Sequence, residues 1–225
     1  MKIAELFYSI QGEGMLTGVP SVFIRTSGCN LRCVWCDTPY TSWKPEGEEM
    51  EITPILNYVG QHSTGYTVVT GGEPMIAPGI VELTQGLRLA GQHITVETAG
   101  TVFAPVECDL MSISPKLANS TPLEDQYWSA RHEKLRWNAE IVRRLMEVCA
   151  YQLKFVVSVE GDLGEVRRMR EETGAPADRV VLMPEGTDAA TLGQRSGWLS
   201  EACKREGYRF SPRLHVLLYG NRRGF

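Results

Sequence analysis

The chain has 225 residues and a formal net charge of −4, long enough to bury one sizeable core and without the basic excess that draws proteins onto nucleic acid. No apolar run approaches the ~18–20 residues that span a bilayer, and Met1-Lys2-Ile3 opens without the apolar stretch of a signal peptide. The expectation is one domain over residues 1–225, in a reducing cytoplasm, with no nucleic-acid or membrane partner.

In chain order, short apolar and β-branched runs predict strands over residues 21–25, 66–70, 93–97, 109–113, 152–159, 179–183 and 213–218. Several are nearly continuous apolar runs, as in a parallel sheet covered on both faces. A helix is predicted to start at Thr53-Pro54, with Thr as N-cap and Pro in the first helical position. Further helices are expected over about 80–90, 136–148, 163–173 and 189–205, with Gly91, Gly174 and Gly207 as stop signals. Residues 118–135 are polar, lead into Tyr127-Trp128, and are predicted to form a long loop, either a lid, an interaction segment or surface decoration. The strand–helix alternation predicts an α/β fold with a parallel sheet and right-handed crossovers, either open or curled toward a barrel. In such folds ligands sit at the carboxyl ends of the strands, and Thr26–Cys29, Gly71–Pro74, Thr98–Gly100 and Ser114–Lys116 all fall there.

The most informative stretch is Cys29-Asn30-Leu31-Arg32-Cys33-Val34-Trp35-Cys36, three thiols spaced C-x3-C-x2-C. Three thiolates can each hold one iron of a cubane cluster that normally takes four. The next cysteine is Cys108, so one iron keeps an open position, as chemistry rather than electron carriage requires. Structural zinc is the alternative, but it calls for a second ligand pair that does not follow. Cys108, Cys149 and Cys203 are expected to be free structural thiols. His62, His93 and His132 show no evident partners and are expected to be structural or exposed. Gly71-Gly72-Glu73-Pro74 follows a buried strand: the glycines allow close backbone approach, and Glu73 can bond a cationic amine.

Together, C-x3-C-x2-C and Gly-Gly-Glu-Pro resemble the radical S-adenosylmethionine (SAM) enzymes, whose [4Fe-4S] cluster chelates SAM at its open iron and cleaves it reductively. A narrower resemblance runs from Phe7-Tyr8-Ser9-Ile10-Gln11-Gly12-Glu13-Gly14 through Cys36-Asp37-Thr38, Glu97-Thr98-Ala99-Gly100, Ser114-Pro115-Lys116 and Gln152-Leu153-Lys154-Phe155 to the C-terminal segment. It is similar to the 7-carboxy-7-deazaguanine synthases. The resemblance implies a partial (incomplete) β/α barrel of the radical SAM type. It also implies ring contraction of 6-carboxy-5,6,7,8-tetrahydropterin to 7-carboxy-7-deazaguanine, with release of ammonia, in queuosine and 7-deazapurine synthesis. It further implies that Mg2+ assists, that an external donor such as flavodoxin or ferredoxin supplies the electron, and that the chain forms a homodimer.

Carried over residue by residue, the resemblance places Cys29, Cys33 and Cys36 on the cluster and Thr38 on Mg2+, for which a hard oxygen ligand is suitable. Ile10, Gln11, Gly12 and Glu13 match a clamp on the pterin, Arg25 the group that holds its carboxylate, and Thr70 another substrate contact. Gly72, Glu73, Ser114, Pro115, Lys116, Gln152, Leu153, Lys154 and Phe155 match SAM-contacting positions. Phe225 is carried over as a terminal substrate contact. The end of the chain departs from the family's pattern, with Tyr219-Gly220-Asn221 where some members have His-Lys-Tyr, which puts a role for His215 in doubt. Within the superfamily, an activase that installs a glycyl radical on a partner protein is the second expectation. A non-enzymatic metal-binding or electron-transfer module is the third.

Overall fold

The computed structural model describes residues 1–225, as one nine-stranded sheet with eight α-helices. In chain order these are β1 (Lys2–Ile10), β2 (Pro20–Thr26), α1 (Pro39–Ser42), β3 (Glu48–Glu49), α2 (Ile52–Gly60), β4 (Tyr66–Gly71), α3 (Ile80–Leu89), β5 (His93–Thr98) and β6 (Leu110–Ile113). They continue with α4 (Gln126–Leu135), α5 (Ala139–Met146), β7 (Ala150–Val157), α6 (Leu163–Thr173), β8 (Val180–Pro184), α7 (Ala189–Glu206), β9 (Arg209–Phe210) and α8 (Leu214–Tyr219). The spatial order is β3-β1-β2-β4-β5-β6-β7-β8-β9. From β2 onward that order follows the chain and every pairing is parallel, while β1 joins β2 and β3 antiparallel. β3 and β9 stay unpaired on their outer sides, so the sheet is an open, partial barrel.

The two faces of the sheet differ, which corrects the expectation of apolar cover on both. Val22, Ile24, Val69, Ile94, Val96, Met111, Ile113, Leu153, Phe155, Val157 and Leu182 belong to the main core. Each such fully buried side chain contributes about 1.5–3 kcal/mol. The alternate residues face the other way and are largely polar. Arg25 lies opposite Thr70 in the register, Glu97 opposite Ser112, and Ser112 opposite Gln152. Side chains alternate along a strand, so one face packs on helices and the other supplies a polar concavity.

Six of the seven predicted strands are present within two residues. The seventh is corrected: 213–218 forms α8, because the short edge strand β9 offers no further pairing and the chain turns back over the strand ends, where the Leu214 N–H bonds the Gly12 carbonyl at 2.9 Å. β1 has no counterpart in the expectations, since Ala4-Glu5-Leu6 breaks any clean alternation. Thr53 is not an N-cap: α2 begins at Ile52 after Glu51 and takes Pro54 into its first turn, where the missing N–H is harmless. The helix predicted over 136–148 is only α5, capped by Asn138, whose side chain accepts from the Glu140 and Ile141 amides. Residues 118–135 are not a loop, since α4 occupies their second half, capped by Asp125. No helix is long and apolar enough to cross a membrane.

Candidate active site

The polar concavity is a cavity of about 730 Å³, in the upper range for small-molecule sites. It lies over the carboxyl ends of the strands, and its walls bring together segments from residue 7 to residue 225.

On one wall are Cys29, Cys33 and Cys36, in a stretch after β2 that has no regular secondary structure from residue 27 to 38. All three are free thiols. Burial pushes Cys29 and Cys33 up to about 12, so they are protonated without metal and become ligands only as binding displaces their protons. Cys29 and Cys36 pack against the small apolar group of Leu31, Cys33 and Ala99, so the loop gathers three thiol ligands and no fourth, one short of a structural zinc site and enough for three corners of a cubane. The donor set therefore fits the cluster. Cys36 Sγ lies 3.2 Å from Ser42 Oγ and 3.9 Å from Thr38 Oγ1, and Thr38 Oγ1 lies 3.1 Å from Thr41 Oγ1.

Gly71 and Gly72 also line the cavity. A Cβ on Gly72 would collide with the Gly28 and Thr41 carbonyl oxygens, so only glycine lets this turn lie against the loop that carries Cys29. Glu73 departs from its expected place. Its carboxylate is 0% exposed and does not reach the cavity; it accepts from Thr98 Oγ1 at 2.7 Å and from the Met75 and Ala99 amides at 3.1 and 2.8 Å. It fixes the turn instead of facing a ligand.

Ser114 and Lys116 line the cavity, and Lys116 Nζ donates to the Ser114 carbonyl and hydroxyl at 2.9 Å each; Pro115 does not line it. Of residues 152–155 only Lys154 does. Leu153 and Phe155 point into the core on the opposite face, and Gln152 is spent on the Met15 amide and Ser112 Oγ, at 2.8 Å each. The twofold period of β7 separates these four neighbours.

Ile10, Gln11, Gly12, Glu13, Arg25, Thr70 and Phe225 all line the cavity. Gln11 Nε2 donates to Glu97 Oε1 at 3.2 Å, and Thr70 Oγ1 to Glu97 Oε2 at 3.0 Å. A Cβ on Gly12 would collide with the His215 ring, so the glycine admits α8 to the site. Arg25 is held along one edge, its Nε donating to Glu5 Oε2 at 2.7 Å, and its other nitrogens make no hydrogen bond to protein.

Glu13 heads a chain of buried charges. Lys154 Nζ donates to it at 2.5 Å and Arg213 Nε at 3.3 Å, while Arg213 also pairs with Asp37. Burial works against the Glu13 carboxylate, but Lys154 and Arg213 hold it well below the usual range. Burial alone would depress the Lys154 ammonium; Glu13 and Glu97 keep it above its ordinary value. Burial lowers His215, against the pull of Glu13. A carboxyl depressed on folding stabilises the fold above its unfolded pKa and loses that contribution as pH falls through its folded one. Glu13→Gln leaves Lys154 and Arg213 short of a partner, so the metal-free chain is expected to lose about 3–5 kcal/mol at pH 7, or roughly 6–20 °C in Tm. The gap should narrow as the pH is lowered below the ordinary carboxylate range. Thermal unfolding at several pH values checks this, and equal midpoints at pH 7 would mean the network adds nothing.

Sequence reasoning gave no roles to Glu97, Asp37 or Arg213. Glu97 had a signal, the one acidic residue on the β-branched strand β5, His93-Ile94-Thr95-Val96-Glu97-Thr98. Arg213 was hidden by the strand expected over 213–218.

The family model of the Radical SAM superfamily matches residues 23–153. A relative from Rhodopirellula baltica, named 7-carboxy-7-deazaguanine synthase, is 46% identical over 99% of this chain and 88% of its own length. Relatives of the same name from Halobacterium salinarum and Pyrobaculum aerophilum are 42% and 36% identical, covering 98% and 100% of the chain and 91% and 97% of their own lengths. The fold is shared with the crystal structure of QueE from Escherichia coli, at a TM-score of 0.68 and 24% identity, covering 95% of this chain and 94% of that one.

Proposed function

The chain belongs to the radical SAM superfamily and, within it, to the 7-carboxy-7-deazaguanine synthases, and on that premise we propose how its cavity divides between cofactors and substrate. The reaction is the ring contraction of 6-carboxy-5,6,7,8-tetrahydropterin to 7-carboxy-7-deazaguanine with release of ammonia, in queuosine and 7-deazapurine biosynthesis. The enzyme works with a [4Fe-4S] cluster, SAM and Mg2+, and it needs a reductant. Bound together, cluster and SAM supply one-electron hydrogen abstraction, chemistry that no side chain provides.

The rest falls to this chain's own residues. Cys29, Cys33 and Cys36 hold the cluster; Gly72, Ser114 and Lys116 border the place for SAM. Lys154, 3.6 Å from Glu97 and bonded to Glu13, serves the substrate clamp in this reading. Gln11, Glu13, Thr70 and Glu97 offer the pterin a fixed set of donors and acceptors, against which a wrong heterocycle leaves buried polar groups unpaired. The half-free guanidinium of Arg25 carries this reading: one edge is fixed by Glu5, and the other is open to a carboxylate. Thr38 offers Mg2+ a hydroxyl beside the cluster loop.

Residues 1–225 act as one domain. A homodimer, a flavodoxin or ferredoxin as electron donor and a reducing cytoplasm complete the proposal. Exposed Leu217 and Leu218 on α8 offer apolar surface for a second copy to cover, and an oxygen-sensitive cluster favours the reducing compartment.

Ligand-induced stabilisation tests the clamp. With the cluster and SAM in place, 6-carboxytetrahydropterin at about 100 times its Kd should add about 2.7 kcal/mol to stability. Tetrahydropterin lacking the carboxylate, at the same concentration, should add far less. Equal shifts would mean that Arg25 does not hold the substrate carboxylate.

A further inference from the structure

The loop that carries the thiols makes almost no structure of its own. Between residues 27 and 38 there is neither helix nor strand, so its amides need partners from outside. Two come from the segment 118–135, expected to be a loop and found to hold α4. The Val34 N–H donates to the Ser120 carbonyl at 2.9 Å, and the Arg32 N–H donates to His132 Nδ1 at 3.2 Å. The Arg32 guanidinium lies over the Trp128 ring of α4 at 4.1 Å and donates to the Cys29 and Leu31 carbonyls at 2.7 Å each.

His132 is 0% exposed, and its surroundings fix its tautomer. Ser120 Oγ gives its proton to the Leu117 carbonyl at 2.6 Å, so at 2.9 Å it accepts from His132 Nε2. The proton is therefore on Nε2, and Nδ1 is left bare to receive the Arg32 amide. We infer that His132 is a positioning residue of the cluster site: its neutral Nε2–H imidazole, anchored by Ser120, takes the Arg32 amide and sets the backbone between Cys29 and Cys33 for its ligands. Burial, which lowers His132 to about 4, agrees with a neutral ring. The inference rests on the cluster assignment, but its test begins without the cluster.

The test uses the metal-free chain, reduced and anaerobic. Nitrogen-15 NMR of labelled histidine should show, at pH 7, a His132 ring protonated at Nε2 and bare at Nδ1. Two variants then separate the bond from mere filling of space. In His132→Asn the side-chain oxygen can stand where Nδ1 stands; in His132→Gln the polar end falls near Nε2 instead. Arg32 amide exchange should stay within about threefold of the original in the Asn variant and quicken roughly tenfold or more in the Gln variant. Iron loss from the loaded proteins to a chelator should follow the same order. A ring protonated at Nδ1, or Asn and Gln variants that exchange alike, would overturn the inference. If the unmutated chain takes up no cluster, the cluster assignment falls, while tautomer and exchange still decide whether His132 holds the loop.

Discussion

Cys33→Ala is expected to leave the chain folded and to abolish SAM cleavage. Cys33 packs with Leu31 and Ala99 in a small apolar group beside the main core, so Ala fills most of its space. Two thiolates cannot hold a cubane that already does with one fewer than the usual four. Reconstituted protein should carry about four irons per chain before the substitution and close to none after it. Cys203→Ala is the control. That thiol is 3% exposed in the core, burial raises it to about 11, and it is absent from the cavity; iron should stay and only stability should fall. Full iron content in the Cys33 variant would mean the thiols were misassigned.

Arg25→Ala should separate cofactor from substrate. Arg25 does not touch the thiols, so cluster content and SAM affinity should be unchanged. Two charge-assisted hydrogen bonds to a carboxylate would be lost, about 3–4 kcal/mol, or ~10²–10³ in kcat/KM for the pterin. Arg25→Lys should recover only part, because an ammonium cannot meet both carboxylate oxygens while one edge stays on Glu5. Glu5 also accepts from Tyr40 at 2.7 Å and lies 3.5 Å from Arg223, so Arg25 is set by groups from both ends of the chain. Turnover within threefold of the unmutated enzyme would show that the carboxylate is bound elsewhere.

The sequence carried the catalytic chemistry more clearly than the architecture around it. Three thiols at fixed spacing and a double glycine after a buried strand are local features, and the structure places both on one cavity. The parallel strands were legible because β-branched runs are local too. β1 was not, since its partner is chosen by the sheet edge and not by its own mixed pattern. α8 resembled a strand because Leu214-His215-Val216 alternates, and only the absence of a further sheet neighbour decides otherwise. Glu73 looked like a ligand and is a buried brace, since nothing local tells which way a carboxylate turns. Leu153 and Phe155 were drawn into the site by adjacency to Lys154, while the period of β7 sends them to the core. Glu97, Arg213 and His132 gain their partners from residues 86, 200 and 100 positions away, distances across which sequence pattern is silent.

The most direct measurement is anaerobic turnover. Protein with a reconstituted cluster is mixed with SAM, a one-electron reductant, Mg2+ and 6-carboxytetrahydropterin, and the products are weighed by mass spectrometry. The expected result is 7-carboxy-7-deazaguanine together with ammonia, formed only when protein, SAM, reductant and pterin are all present. Cleavage of SAM without that product would contradict the substrate and send attention to a glycyl-radical partner. Absence of cleavage in iron-replete protein would contradict the cluster chemistry itself.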